Sequence, residues 1–277
     1  MISIAIVSLD NVDFLRLLLK GIRRNTTTPY EVLIYGNAAG HPPGRRHINP
    51  PGLSIEFVEL IAQNRDIISV FIPSDTNDGI STPLNTLFAH AKGEYFVFLD
   101  DDMYVAPGWD TAVLQKVNPN ILHQYLAFSQ FIAAAPDSQY FNTYDFGGNP
   151  VQFREEDFNR EWEDRRNNIK DHTMLAGCFC VKRKLWESVG GFWTTMPIYG
   201  CDIEFKIHIY KDARAENLPF EFRTVADSCV YHFNNGSHKK ADYSGKSHPN
   251  PNLITNKHKM SPSEWEIFTQ GLNQYFQ

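Results

Sequence analysis

Ile2 to Ser8 is an almost unbroken run of apolar, mostly β-branched residues, the pattern of a strand covered on both faces in a parallel sheet. A turn at Asp10–Asp13 follows. Phe14, Leu15, Leu17, Leu18, Leu19 and Ile22 then recur at helical spacing as far as Arg23 and Arg24. Tyr30–Tyr35 predicts a second strand, entered through Pro29. Residues 36–52 are dense in glycine and proline and predict a loop. Leu53–Leu60 suits a short strand or a helix equally. Ile67–Ile72 predicts a strand, Pro83–Ala91 a helix, and Tyr95–Leu99 a strand. Alternating β and α units imply an α/β fold, with a parallel or mixed sheet covered by helices.

The second half is less regular. Residues 136–150 are rich in turn formers. Residues 154–170 carry charges of both signs around Phe158, Trp162 and Ile169 and read as a solvated helix face. Met174–Val181 predicts a strand, Arg183–Val189 a helix closed by Gly190-Gly191, Cys201–Tyr210 a helix and Thr224–Tyr231 a strand. Residues 234–257 form a polar loop. Ser261, Pro262 and Glu264 are placed as N-cap, N1 and N3 of a final helix.

The 277 residues carry a formal charge of −6, which weighs against a nucleic-acid binder. No segment is apolar for long enough to span a membrane and no basic leader precedes Ile2, so a soluble, cytoplasmic protein is expected. Four cysteines are too few for a disulfide scaffold. Cys178 and Cys180, two apart on a strand, are expected to be reduced core thiols on one face.

The chemistry concentrates where the strand Tyr95–Leu99 runs into Asp100, Asp101 and Asp102. In open α/β sheets ligands bind beyond the carboxyl ends of the strands. Three adjacent carboxylates there need a counter-charge or full solvation, as in an acidic surface turn, and hard oxygen donors suit Mg²⁺ or Mn²⁺ bridging to a diphosphate.

Several segments, taken in order, resemble the family-2-like glycosyltransferases of the GT-A fold. Ile2–Asp10 is similar to the first strand and its nucleotide-contacting turn, and Tyr30–Asn37 to the second strand. Asn77-Asp78-Gly79 with Asn85 resembles the N-x-G-x-x-x-x-x-N element. Gly93-Glu94-Tyr95 leads to a D-x-D formed by Asp100 and Asp102, continued by Pro107-Gly108-Trp109. Gly177, Arg183 and Gly190-Gly191-Phe192 resemble the acceptor-side strand and G-G-F turn. Cys201-Asp202-Ile203-Glu204-Phe205 stands where the family has Glu-Asp-x-Asp-Leu, and Val230-Tyr231-His232 resembles the strand bearing a metal histidine. The chain departs from the pattern at Gly36, where an acid often meets the nucleobase, at Leu84, where a basic residue is common, and at Cys201 and Trp193.

The resemblance implies a Rossmann-like GT-A fold: a mostly parallel central sheet flanked by helices, with a smaller acceptor-side sheet. It implies one domain with a nucleotide-sugar half (1–110), a connecting region (111–171) and an acceptor half (172–277). It implies transfer from a nucleotide-diphosphate sugar, a UDP-sugar favoured, to a glycan or other hydroxyl acceptor with Mn²⁺ or Mg²⁺. Asp102, Asp100 and His232 are then metal ligands, with Asp100 and Asp101 also near the ribose. Asp202 is the general base of an inverting displacement, while Glu204, about 200° round the helix, faces elsewhere. Ser8, Leu9, Asn37, Asn77 and Gly79 meet the nucleotide, Gly177 admits the donor sugar, and Trp193 stacks on a sugar ring. His238, Lys239, Lys240, Lys246 and His248 would form a basic lid over the diphosphate. A retaining transferase and a non-catalytic sugar or nucleotide binder on the same scaffold stay open. A nucleotidyltransferase would need a basic glycine-rich loop near the N-terminus, which residues 8–13 lack.

Overall fold

The computed structural model describes residues 1–38, 52–132, 142–143, 145–166, 177–194, 201–233 and 258–261. The first half runs β1 (Ile2–Ser8), α1 (Val12–Asn25), β2 (Tyr30–Gly36), α2 (Ile55–Gln63), β3 (Ile68–Pro73), α3 (Ser81–His90) and β4 (Tyr95–Asp100). The second runs β5 (Met103–Val105), α4 (Trp109–Gln115), β6 (His123–Ile132), β7 (Asn142–Thr143), α5 (Glu155–Arg165), β8 (Phe179–Lys182), α6 (Arg183–Val189), α7 (Cys201–Ala215) and β9 (Phe220–His232). Among the described residues the strands form one sheet in the order β3-β2-β1-β4-β8-β6-β9-β5, with β7 beside β6. The acceptor-side strands are thus a continuation of the nucleotide-side sheet. Among the described strands, β8 and β5 alone run against the others.

Local chemistry accounts for the helices. Asp13 in the first turn of α1 and Arg23 and Arg24 in its last complement the helix dipole. The ambiguous stretch after Leu53 becomes α2 because Ser54 caps it, its hydroxyl accepting from Phe57 N at 3.2 Å. Gly190 ends α6 with φ of 77°, a left-handed conformation that glycine adopts without strain.

Strand alternation sends side chains into two cores, one on each face. Ile2, Ile4, Ile6, Val97 and Leu99 pack with α1, α2 and Trp109. Ala5, Leu33, Phe96 and Phe98 pack with Leu84, Leu185, Trp186 and Phe205. Cys178 and Cys180 both enter the first core, and all four cysteines are free and buried. A third cluster joins Tyr104, Phe131, Phe158, Trp162 and Tyr231.

That cluster corrects the reading of residues 154–170 as a solvated face. Phe158 and Trp162 are fully buried, and the charges occupy the other side of α5. Burying Phe158 is worth about 1.5–3 kcal/mol, against about 0–1 kcal/mol for an exposed ion pair such as Arg160–Asp157. The aromatic face holds α5 in place. Residue Ile169, the predicted strand before Gly177, the basic loop from 234 and the helix beyond Ser261 lie outside the described residues. No helix among the described residues is long and apolar enough to cross a membrane.

Candidate active site

Parallel strands bring their carboxyl ends to one edge. Val7 lies beside Asp100 there, and Ser8 beside Gly36. The reversed β8 begins at the same edge, with Phe179 beside Phe98, so Gly177 and Cys178 sit next to the end of β4. After Asp100 the chain crosses to β5, where Met103 pairs with His232. The backbone N–H of Phe233 donates to Asp102 O at 3.0 Å.

A bulge in β9 decides which way His232 points. β9 pairs with β6 up to Val225 opposite Phe128 and resumes with Cys229 opposite Ser129. Ala226, Asp227 and Ser228 are therefore extra. An odd insertion exchanges the two faces of a strand, which is why Val225 and Val230 enter the same core although they stand five positions apart. His232, two residues beyond Val230, takes that face. Its Nε2 lies 3.1 Å from Asp102 Oδ1 and its Nδ1 3.2 Å from Gln130 Oε1.

The three carboxylates differ in surroundings. Desolvation lifts Asp100 to about 6, His232 opposing the rise and Asp102 adding to it. The Cys178 thiol donates to Asp100 Oδ2 at 3.5 Å. Asp101 is buried, accepts from Ser8 Oγ at 2.6 Å and from Asn11 Nδ2 at 3.3 Å, and is pushed to about 7 by desolvation and by Asp102. Its carboxylate, expected near the ribose, is engaged with the turn after β1. For His232, desolvation lowers the pKa, but Asp102 and then Asp100 and Asp101 outweigh it and the net shift is upward.

The edge is therefore short of positive charge, as a cation site would be. Among the described residues no three His, Cys, Asp or Glu side chains are grouped to hold an ion unaided. The donor set fits an ion held by one or two carboxylates and completed by substrate phosphates, the usual arrangement for Mg²⁺ with nucleotides.

Asp202 lies in the first turn of α7, and its charge is felt by Asp100. Its Oδ2 accepts from Lys206 Nζ at 3.0 Å, and the side chain keeps 27% of its surface exposed. Glu204 faces elsewhere, with Oε1 3.2 Å from Nε2 of the buried His258. Trp193 is 40% exposed and stacks on the His258 ring at 4.5 Å.

On the nucleotide side, Leu9 is buried, which leaves its main chain for contacts. The Asn37 side chain donates to Gly79 O at 2.9 Å and accepts from Asp78 N at 3.1 Å, while Asn77 Oδ1 accepts from Gly79 N at 3.1 Å. Both amides thus shape the turn, with Gly79 at φ of 77°. A Cβ on Gly177 would meet nothing within 4 Å, so this backbone is open to a ligand.

Three of the four departures from the family pattern have packing reasons, Trp193 being the exception. A Cβ on Gly36 would lie 2.6 Å from Leu53 Cδ1, so an acid there would require Leu53 to shift. Leu84 is fully buried in the second core, and Cys201 is buried in the same core. Sequence reasoning missed Gln130, Asn11 and Lys206. Asn11 and Lys206 had a signal in their spacing from Ser8 and Asp202, whereas Gln130 lies on β6, a strand the pattern did not reveal.

A Rossmann-like half with three carboxylates at its sheet edge and a histidine beside them is the arrangement that the resemblance to the GT-A fold implies. The model of the family described as Glycosyl transferase family 2 matches residues 54–189. YwdF of Bacillus subtilis (strain 168), described as an uncharacterized glycosyltransferase, is 22% identical over 258 residues, 93% of this chain and 84% of that protein. The structure of S. aureus TarS 1–349 in complex with UDP-GlcNAc superposes with a TM-score of 0.59 at 13% identity, covering 99% of this chain and 71% of that one. Mannosyltransferase PcManGT from Pyrobaculum calidifontis, in complex with GDP-Man and Mn²⁺, superposes with a TM-score of 0.53 at 15% identity, covering 99% and 74%. The alignment spans 42% of the longer TarS chain. The present chain is a GT-A glycosyltransferase resembling glycosyl transferase family 2.

Proposed function

We propose that the chain transfers a sugar from a nucleotide-diphosphate sugar, a UDP-sugar by preference, to an acceptor hydroxyl with inversion at the anomeric carbon. The observation that carries this reading is the meeting of Asp100, Asp102 and His232 at one sheet edge, within electrostatic reach of Asp202. The complexes of TarS 1–349 with UDP-GlcNAc and of PcManGT with GDP-Man and Mn²⁺ support the donor class.

Asp102 with His232 would hold Mn²⁺ or Mg²⁺, completed by the substrate phosphates and with Asp100 nearby, and the ion would supply Lewis-acid neutralisation of the leaving diphosphate. Ser8 and Leu9 present the turn after β1 to the nucleotide, and Asn37, Asn77 and Gly79 shape the loop beside it. Asp101 braces that turn through Ser8 and Asn11. Open backbone at Gly177 admits the donor sugar, and Trp193 offers an aromatic face to a sugar ring. Asp202, oriented by Lys206, takes the proton of the acceptor hydroxyl. The half preceding residue 110 handles the donor and the half beyond residue 172 the acceptor.

A thermal-shift series with UDP, GDP and their sugars, with and without Mn²⁺, tests the reading. A ligand at 100 times its Kd stabilises the native state by about 2.7 kcal/mol. The expected result is a rise in Tm with UDP that depends on Mn²⁺. No response to any nucleotide with the cation present would refute it, and NMR of the product anomer separates inversion from retention.

A further inference from the structure

We propose that Gln130 is a positioning residue for His232: its amide oxygen, oriented by Cys178, accepts a hydrogen bond from Nδ1–H and so aims Nε2 at Asp102. This rests on the reading of His232 as a ligand of the divalent cation. Gln130 lies on β6 opposite Val230, which makes it the diagonal neighbour of His232 on the same face of the sheet. It is buried, so its amide has to be satisfied within the protein.

The direction of each hydrogen bond follows from counting protons. Cys178 has a single S–H, and its Sγ lies 3.5 Å from Asp100 Oδ2 and 3.2 Å from Met103 Sδ. A carboxylate is a far better acceptor than a thioether, so that proton goes to Asp100. The sulfur then faces Gln130 with lone pairs and accepts from Nε2 at 3.7 Å. With its nitrogen committed, Gln130 presents Oε1 to His232 Nδ1 at 3.2 Å. An amide oxygen carries no proton, so Nδ1 is the donor. Nε2, 3.1 Å from Asp102 Oδ1, is left as the nitrogen that turns to the cation beside that carboxylate. One relay, His232–Gln130–Cys178–Asp100, therefore sets both the ring and the neighbouring carboxylate. The opposite orientation of the Gln130 amide would require a bare Nδ1.

Nitrogen-15 and proton spectra of the histidine side chains in the metal-free protein read this directly, with His232 assigned by its absence in His232→Gln. The expected result is a slowly exchanging Nδ1 proton in the wild type, retained in Gln130→Glu, which keeps an acceptor, and lost to exchange in Gln130→Leu. Mn²⁺ affinity in the presence of UDP, read from the EPR signal of free Mn²⁺, should fall about 10- to 100-fold in Gln130→Leu and less in Gln130→Glu. A bare Nδ1 in the wild type, or an Nδ1 proton unaffected by Gln130→Leu, would overturn the proposal. So would unchanged Mn²⁺ affinity in Gln130→Leu while His232→Gln weakens it. If neither variant changes the affinity, the metal reading fails and the positioning role falls with it.

Discussion

Asp202→Asn separates two roles that one side chain combines. The substitution keeps the shape of the residue and an acceptor for Lys206, but removes the group that takes a proton. Two costs follow. The ion pair with Lys206 is lost, and the Lys206 side chain is only 5% exposed, so its ammonium has few alternatives beyond the face of Tyr125 at 5.1 Å. Asp202 is more open and asparagine still offers an oxygen, so we expect about 1–2 kcal/mol of lost stability, well short of a fully buried pair. In a chain of this size that is about 2–4 °C in Tm for each kcal/mol. The second cost is to the reaction. Losing a general base lowers kcat by about 10²- to 10⁴-fold, or about 3–5 kcal/mol in the barrier. Lys206→Met supplies the control, since it breaks the same ion pair and leaves the carboxylate. Turnover should be assayed with the nucleotide sugar that stabilises the protein most, alongside thermal melts of both variants. The expected outcome is a similar loss of Tm in the two, with a collapse of kcat in Asp202→Asn, a much smaller fall in Lys206→Met, and nucleotide binding intact in both. Equal losses of kcat, each tracking the change in stability, would show that Asp202 only anchors α7.

Further predictions concern the frame of the site. Gly191→Ala should destabilise by more than about 1–2 kcal/mol, because φ is 76° and the new Cβ would lie 2.5 Å from Asn85 Oδ1, which accepts from Phe192 N; urea unfolding measures it. Trp162→Ala, at a fully buried site, should cost about 3–5 kcal/mol, with loss of protection of α5 in amide hydrogen exchange. Glu31 has its pKa held below the ordinary 4.5: desolvation raises it, but the Ser3 hydroxyl, the Lys92 N–H and the Ser69 hydroxyl together lower it further. A depressed carboxylate stabilises the fold above its unfolded value and loses that contribution as pH falls through the folded one. Glu31→Gln should therefore flatten the decline in stability below about pH 4.5; an unchanged acid limb would show that other carboxylates govern it.

The periodic part of this protein was legible in its order of residues. β1 spans the apolar run Ile2–Ser8, α1 covers the i, i+3, i+4 pattern after Asp10, and α6 runs from Arg183 to Val189 as the spacing predicts. Buried strands and amphipathic helices write their burial directly into a short stretch of chain, so local reading suffices. The position of three carboxylates at the end of a buried strand was equally local. What escaped was decided by partners distant in sequence. β6 has no clear alternation of its own because both its faces are buried, Leu126 and Phe128 in the first core and Tyr125 and Ala127 in the second, and the burial of Phe158 and Trp162 depends on Phe131 and Tyr231 arriving from elsewhere. The face taken by His232 depends on a three-residue bulge that appears only when β9 is laid against β6. Gln130, Cys178 and Asp100 carry no common motif, and their relay exists because three strands meet at one edge. Sequence alone determined which groups are available for chemistry and where the strongly periodic strands and helices lie. Only the tertiary structure decided which of those groups meet, because register, bulges and strand order are properties of pairing between segments.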